Sequence, residues 1–359
     1  MLDLLKKQSF MAAFFVVDCI KNLIMMKAIL LKGPNDWELS EIPKPVPVKG
    51  QVLVKMAFAP INPSDLAFLT GNYGLKKPFP VVPGLEGSGV VVESGGDFMA
   101  NRLLNKNVAC TAPNTGNGTW AEYMLTDANK CMDLSKSVSL EQGSMLFVNP
   151  LTALSFTKKA KKMSADLIVF SAAGSALGQM VTHFANEIDV PVFGLIRKEN
   201  LKDETLKKGF SKVFCTENND YLKELNLAAK SYKKVIFFDA VGGGSIPYQI
   251  LNALPDNTRM VIYGRLDQNP SDFSPQNILF KQNTVEGYWL SKEAQKKSIV
   301  EVILDVRKIQ KMLSKGFETQ IQKKVKLSEL NSGLETYVKG MSAGKVLIDC
   351  HFDSLSDHS

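Results

Sequence analysis

The stretch Leu167–Ile188 reads LIVFSAAGSALGQMVTHFANEI. Its first four residues are apolar and are followed by a turn of small residues, a pattern typical of a buried parallel strand. From Leu177 onward apolar residues recur at helical spacing, which predicts an amphipathic helix. A strand, a small-residue turn and a helix in this order form a phosphate-binding unit, because a helix begins with unpaired N–H groups and a partial positive charge.

The turn departs from the strict glycine pattern of dinucleotide-binding folds. If Gly178 is the third glycine, Ala173 and Ser175 occupy the first two positions. Small residues still let the backbone approach a phosphate, and the Ser175 hydroxyl adds a donor. The turn alone does not distinguish a phosphate-binding turn from an ordinary strand-to-helix connection. The cofactor-binding residues predicted here are Ser175, Ala176, Leu177 and Gly178.

The next predicted strand, 191–196, ends at Arg197 and Lys198. This is about twenty residues past Gly178, where such a fold places the group that faces the adenosine ribose. A site that prefers NAD has a carboxylate there, whereas two cations suit a 2′-phosphate. The alternative is a solvated strand end, which is common. We favour NADPH as the cofactor, with Arg197 and Lys198 among its ligands.

Composition limits the classes of function. The chain has 359 residues, which suggests about two domains, and its 45% hydrophobic and 22% charged content is typical of a soluble globular protein. The net charge of +7 is spread along the chain without a basic run interleaved with aromatic residues, so no nucleic-acid partner is expected. The five cysteines are far apart in sequence, which favours a reducing compartment.

Residues 1–25 are interpreted as an N-terminal extension. The apolar run Phe10–Val17 is too short for a membrane span, and no signal-peptide cleavage site follows it. The extension has no Arg and contains two acidic residues, unlike a transit peptide. We expect translation to begin at Met25 or Met26 and the protein to be cytoplasmic, or mitochondrial if the extension is a genuine leader. No membrane partner is expected.

The remaining chain changes character twice. Residues 26–148 read as short strands and turns, which predicts a β-barrel-like domain. Residues 149–286 alternate strands and helices, which predicts a doubly wound parallel sheet of the Rossmann type. Residues 287–359 include a long helical pattern, Ser291–Leu313, and a final strand, and are assigned to the first domain. The predicted fold class is therefore α/β with a second, β-rich domain.

Several short motifs carry a family resemblance. They are INPSD at 61–65, GNY at 71–73, PGLEGSG at 83–89, GTWAEY at 118–123, NPLTA at 149–153, DAVGG at 239–243, YG at 263–264 and GYWL at 287–290. Their order and spacing resemble the medium-chain dehydrogenase/reductase superfamily over residues 26–350, in particular its zinc-free quinone reductase and 2-enoyl thioester reductase branch. The resemblance implies a GroES-like substrate domain beside a Rossmann domain, an active site in the cleft between them, and a homodimer.

Zinc can be considered from the residues themselves. A catalytic zinc ion needs three thiolate, imidazole or carboxylate ligands. Zinc-dependent relatives have a cysteine at Asn62 and a His-Glu pair at Leu85 and Glu86, so only Glu86 remains here. None of the three histidines, His183, His351 and His358, is placed to replace the missing ligands. We therefore predict no metal site.

Without a metal, the protein must orient the acceptor, stabilise a developing enolate oxygen and deliver a proton. Tyr73 is the predicted donor by resemblance, and Asn62 is predicted to shape the pocket. The alternative for Tyr73 is a loop aromatic that covers apolar surface. The resemblance implies further cofactor contacts at Asn149, Thr152, Val241, Gly242, Tyr263, Gly264, Trp289, Leu290 and Lys345.

The leading hypothesis is NADPH-dependent reduction of an activated alkene such as a 2-enoyl thioester. A quinone reductase is the first alternative, because two-electron transfer to a quinone needs no specific acid. A non-catalytic NADPH-binding protein or sensor is the second, since the altered glycine pattern leaves room for it.

Overall fold

The computed structural model describes residues 24–351, without the side chains of Gln276 and Asn277. The predicted extension lies outside the described residues except for its last two. The strands are β1 (Met25–Gly33), β2 (Asp36–Pro43), β3 (Gln51–Pro60), β4 (Glu86–Ser94), β5 (Asn107–Thr111), β6 (Tyr123–Asp127), β7 (Cys131–Asp133), β8 (Leu167–Phe170), β9 (Val192–Ile196), β10 (Lys212–Cys215), β11 (Val235–Asp239), β12 (Arg259–Ile262), β13 (Thr284–Gly287), β14 (Ile321–Lys326) and β15 (Lys345–Asp349).

The helices alternate with strands mainly in the second half of the chain. They are α1 (Pro63–Leu69), α2 (Phe98–Leu103), α3 (Leu140–Gly143), α4 (Val148–Lys162), α5 (Ala176–Asn186), α6 (Lys202–Lys207), α7 (Tyr221–Ala229), α8 (Ile246–Ala253), α9 (Pro275–Lys281), α10 (Leu290–Gln295), α11 (Ile299–Ser314) and α12 (Leu330–Lys339). Within residues 24–351, none of them has the length and apolar character needed to cross a membrane.

The chain divides into two compact units. Among the described residues, the first contains 24–134, 324–333 and 347–351, and the second contains 135–323 and 334–346. The segment 149–286, predicted as the Rossmann domain, lies wholly within the second unit. That unit also includes residues 135–148, the segment 287–323 with its two helices, and residues 334–346.

The first unit is built on a sheet with the strand order β14-β15-β3-β4-β5-β7, with β6 also paired to β3 and with β1 and β2 forming a separate antiparallel pair. Strand β3 is central because it pairs with three neighbours, and its residues Val52, Leu53 and Val54 are fully buried. The register between β3 and β4 shifts beside Gly89. A Cβ atom at Gly89 would lie 2.1 Å from the Lys55 carbonyl oxygen, so this crossing requires glycine.

The second unit contains a six-stranded parallel sheet with the order β10-β9-β8-β11-β12-β13. Strands β8, β9 and β11 are buried along their whole length, which agrees with their sequences, apolar throughout except for Asp239 at the end of β11. The strand order reverses direction at β8, as it does in doubly wound nucleotide-binding folds. The predicted fold class, α/β with a Rossmann sheet and a β-rich second domain, is confirmed.

The predicted long helix at 291–313 is wrong as one element. The structure has two helices there, α10 and α11, separated at Ser298. The Ser298 hydroxyl accepts from the N–H of Glu301, and the Glu301 carboxylate accepts from the N–H of Ser298. This capping box starts a new helix, because it satisfies two N–H groups that a continuous helix would have bonded internally.

Aromatic side chains fill the space between α4 and the sheet of the second unit. The Phe156 ring stacks on Phe238 at a centroid distance of 4.1 Å and packs edge-to-face on Tyr288 at 4.8 Å. It also contacts the rings of Phe170 and Tyr263. Phe156 therefore joins the helix to four neighbouring strand ends.

We expect Phe156→Ala to lower the free energy of unfolding by about 3–5 kcal/mol, because it leaves a cavity among four aromatic rings. Urea denaturation monitored by circular dichroism measures the change. Phe98→Ala is the matched control, since Phe98 is 84% exposed and its loss should change stability by less than about 0.5 kcal/mol. Equal effects of the two substitutions would contradict this assignment of the core.

Candidate nucleotide-binding and acceptor sites

The carboxyl ends of the parallel strands meet at one edge of the sheet. Phe170 ends β8 opposite Gly194, and Asp239 ends β11 opposite Ile262, which is itself paired with Gly287 at the end of β13. The segments that follow these strands contain most of the cofactor-binding residues predicted from the sequence. In a doubly wound fold, this edge is where ligands bind.

The turn after β8 leads directly into α5. Ser175 is the N-cap of this helix, and its hydroxyl accepts from the N–H of Gly178 at 3.2 Å. The N–H of Ala173 donates to the Leu195 carbonyl at 3.0 Å, which ties the turn to β9. Ala172 has φ +55°, so the left-handed residue of the turn is an alanine. The predicted residues Ala176 and Leu177 form the first turn of α5, as expected.

Backbone atoms approach very closely at this turn. A Cβ atom at Gly178 would lie 2.4 Å from the Ala173 carbonyl oxygen, and one at Gly194 would lie 2.8 Å from the Ala173 side chain. The missing side chains allow the helix, the turn and β9 to pack backbone against backbone. These residues fit a pyrophosphate, because the start of an amphipathic helix is held directly behind a turn of small residues.

A buried carboxylate joins this turn to the loop after β11. The Ser171 hydroxyl donates to Asp239 Oδ1 at 2.9 Å and accepts from the N–H of Ala240 at 2.7 Å. Asp239 also accepts from the N–H groups of Val241 and Gly242, at 3.2 and 2.7 Å. Burial raises the pKa of Asp239, although these donors oppose the shift.

The two predicted glycines after β11 and β12 contact each other through their backbones. Gly242 has φ +67°, and a Cβ atom there would lie 2.3 Å from the Gly264 carbonyl oxygen. A Cβ atom at Gly264 would lie 2.6 Å from the Ala240 carbonyl oxygen. Beside them, burial of its hydroxyl end raises the pKa of Tyr263, and the nearby Asp239 carboxylate adds to the increase. The loops therefore present backbone to any ligand at this edge.

Arg197 and Lys198 follow β9 and are exposed. The Cys215 thiol donates to the Arg197 carbonyl at 3.0 Å, which fixes the backbone of the strand end. In the part of the chain that the structure describes, no carboxylate forms an ion pair with either cation. Both side chains are therefore available to an anionic ligand.

Lys208 is a residue that the sequence interpretation missed. Its ammonium group donates to the Gly174 carbonyl at 2.9 Å and pairs with Glu204 at 2.8 Å. This contact holds the phosphate-binding turn from the side of α6. Nothing in the sequence distinguishes Lys208 from the neighbouring lysines of the same segment, so no signal could have identified it.

The other predicted contacts of the second unit occupy three places. Asn149 and Thr152 lie in the first turns of α4, where Thr152 is buried and its hydroxyl donates to the Val148 carbonyl. Trp289 is the N-cap residue of α10 and Leu290 is its first residue, directly after β13. Lys345 begins β15, is 3% exposed and has its ammonium group 5.8 Å from the centre of the Tyr337 ring. The cofactor roles of these residues stay predictions.

In the first unit, Asn62 and Glu86 are both buried and hydrogen-bonded. Asn62 Nδ2 donates to Glu86 Oε1 at 3.0 Å, and the Asn62 backbone N–H donates to Asp65 Oδ2 at 2.9 Å. Glu86 is the single carboxylate that remains of the zinc-ligand pattern, and the Asn62 amide is hydrogen-bonded to one of its two oxygens. Over residues 24–351, no group of three or more His, Cys, Asp or Glu side chains is arranged to hold a metal ion.

Tyr73 lines a cavity of about 140 Å³ in the first unit. The other residues that line it are Pro34, Phe68, Gly71, Leu75, Lys76, Lys77 and Phe79. Most of this wall is apolar, and Tyr73 itself is half-buried. The cavity thus combines a phenol donor with an apolar surface.

Comparison with known proteins decides the family. A protein of known structure from Mesorhizobium loti, described as an NADPH:quinone reductase, is 30% identical to this chain in sequence. Its structure matches this one with a TM-score of 0.84, over 90% of this chain and 98% of the other. The chain belongs to the medium-chain dehydrogenase/reductase superfamily. The family model for the alcohol dehydrogenase GroES-like domain matches residues 48–136. It is thus an oxidoreductase whose superfamily uses nicotinamide nucleotides.

Two curated members of this superfamily are similar over most of the chain. A mitochondrial enoyl-[acyl-carrier-protein] reductase of Arabidopsis thaliana is 30% identical over 68% of this chain and 66% of its own length. A mitochondrial enoyl-[acyl-carrier-protein] reductase of Caenorhabditis elegans is 27% identical over 87% of this chain and 90% of its own. The chain therefore spans about two thirds of the Arabidopsis protein and nine tenths of the nematode protein.

We expect Gly178→Ala to weaken binding of a nicotinamide nucleotide at least tenfold, because the new methyl group would force the Ala173 carbonyl and α5 apart. Titration of the reduced cofactor by fluorescence measures the dissociation constant. Gly33→Ala is the control, since a Cβ atom there meets nothing within 4 Å. Unchanged affinity in a folded Gly178→Ala protein would contradict a phosphate site at this turn.

Proposed function

We propose that this superfamily member uses NADPH to reduce an activated carbon–carbon double bond, such as that of a 2-enoyl thioester. The observation that carries the proposal is the position of Tyr73, a phenol donor on the wall of an apolar cavity. The names of the curated plant and nematode relatives, both enoyl-[acyl-carrier-protein] reductases, support this choice of acceptor.

The bound nicotinamide supplies a hydride. The N-terminus of α5 and its turn bind the pyrophosphate, and Arg197 and Lys198 bind the 2′-phosphate. The Ser171–Asp239 hydrogen bond ties the two neighbouring loops together. Tyr73 donates a hydrogen bond to the thioester oxygen, where negative charge develops once the β-carbon has accepted hydride. The α-carbon then accepts the proton of the phenol, which solvent replaces.

A quinone reductase is the second candidate. It is favoured by the similarity to the Mesorhizobium protein, which extends over nearly all of that chain. Reduction of a quinone places negative charge on oxygen atoms that solvent can protonate, so it depends less on Tyr73. If the protein binds NADPH tightly but reduces no alkene, carbonyl or quinone acceptor, a non-catalytic binding protein is favoured instead.

Two further properties stay predictions. The compartment is predicted to be the cytoplasm, although the names of the curated relatives describe mitochondrial proteins. The homodimer implied by the family resemblance also stays a prediction.

We expect Tyr73→Phe to lower kcat for crotonyl thioester about a hundredfold, because the donor to the enolate oxygen is lost. The affinity for NADPH and the rate with a simple ortho-quinone should change less than threefold. Steady-state kinetics with both acceptors measure the two effects, and Tyr123→Phe, on strand β6, serves as the matched control. Full enoyl activity in Tyr73→Phe would contradict the proposed role of the phenol.

We expect Arg197→Ala to weaken NADPH binding about tenfold or more and to leave NADH binding nearly unchanged, because a charge-assisted hydrogen bond to the 2′-phosphate is lost. Titration with both cofactors gives the ratio of dissociation constants. Lys207→Ala, an exposed cation on α6, is the control. Parallel losses for NADH and NADPH would argue against recognition of the 2′-phosphate at Arg197.

A further inference from the structure

Lys77 is a buried cation on the wall of the Tyr73 cavity. The residue is 8% exposed, and its ammonium group donates to the Gly116 carbonyl at 2.9 Å. The same group lies 6.0 Å from the centre of the Phe68 ring, which also lines the cavity. A lysine so deeply buried is unusual unless an anion compensates its charge.

No such anion is supplied by the described part of the chain. None of the ion pairs within residues 24–351 includes Lys77, and its hydrogen-bond partner is a neutral carbonyl. Burial is the main factor that disfavours the charged form of Lys77, and the positive charge of Lys130 adds to it. A third cation, Lys76, lines the cavity as well and donates to the Gly71 carbonyl. The two charged residues among those that line the cavity are therefore both cations.

The rest of the cavity wall is suited to hydrocarbon. Pro34, Phe68, Leu75 and Phe79 line the space, and its volume of about 140 Å³ suits a small ligand. A small amphiphile with a negative head group would satisfy both features, because its charge would pair with the ammonium group while its chain displaces water from apolar walls.

We propose that the Tyr73 cavity binds a short-chain carboxylate, with the carboxylate paired to Lys77 and the hydrocarbon chain against the apolar wall. This is the cavity assigned to the acceptor of the proposed reduction, so the carboxylate would compete with that acceptor, although its own binding requires neither cofactor nor turnover. A carboxylate differs chemically from a thioester, because a thioester has no negative charge at its acyl end.

Protonation of Lys77 sets the pH range of binding. Burial, together with the charge of Lys130, lowers the pKa of Lys77 to about 8. The ammonium form therefore predominates below about pH 8 and is lost above it. Carboxylate binding should weaken as the pH rises through this range, whereas an ordinary surface lysine would keep its charge to about pH 10.

The test is calorimetric titration of the full-length protein with butyrate at pH 7 and pH 9. Butyramide, which has nearly the same shape and no charge, is the matched ligand. We expect butyrate to bind at least tenfold more tightly than butyramide at pH 7, and this preference to shrink at pH 9. Equal binding of the two ligands, or no binding of butyrate, overturns the proposal, and neither result affects the proposed reductase activity.

Substitutions at Lys77 then test whether its ammonium group is the charge that pairs with the carboxylate. Lys77→Met should abolish the preference for butyrate, and Lys77→Arg should retain part of it, while Lys49→Met, at an exposed lysine that does not line the cavity, should change butyrate affinity less than threefold. Thermal denaturation establishes that each variant is folded. If Lys77→Met binds butyrate as the unaltered protein does, the site is wrong; if Lys77→Met does not fold, the butyrate and butyramide comparison on the unaltered protein still decides.

Discussion

The buried Asp239 carboxylate is the contact on which the nucleotide edge of the sheet depends. It accepts from the Ser171 hydroxyl and from two N–H groups of its own loop, so one side chain fixes the segments that follow β8 and β11. A buried carboxylate is costly unless several donors satisfy it, and here burial still raises its pKa. The three donors offset part of this cost, and the same hydrogen bonds hold the two loops together.

The parallel sheet was predictable from the sequence because its strands are buried on both sides. Leu167–Phe170 is an uninterrupted apolar run, Val235–Asp239 has four apolar residues before its final aspartate, and the structure gives strands with those bounds. Strand β14 was missed, since Ile321–Lys326 contains three lysines and reads as solvent-exposed helix or loop. Its pairing is set by tertiary structure, which local composition does not encode.

The residues of the candidate sites could be predicted from the sequence only where they belong to a recognisable motif. The edge residues from Ser175 to Trp289 follow strand ends, so parallel topology alone brings their segments to one edge. Lys208 and Lys77 could not be found in this way. Each is one lysine within a lysine-rich segment, and only the folded chain shows that Lys208 reaches the Gly174 carbonyl and that Lys77 is buried. Burial and partner choice are properties of the tertiary structure, so residue type gives no warning of them.

Ala172 shows how these contacts combine. An alanine in the left-handed conformation costs roughly 1–2 kcal/mol relative to the usual region, and a glycine would avoid that cost. The conformation persists because the turn is held on several sides: Ser171 by Asp239, Ala173 by the Leu195 carbonyl, and Gly174 by Lys208. The altered glycine pattern therefore does not weaken the case for a phosphate-binding turn. Its shape is imposed by neighbouring strands and by a lysine from α6, where a glycine-rich turn would rely on the freedom of its own backbone.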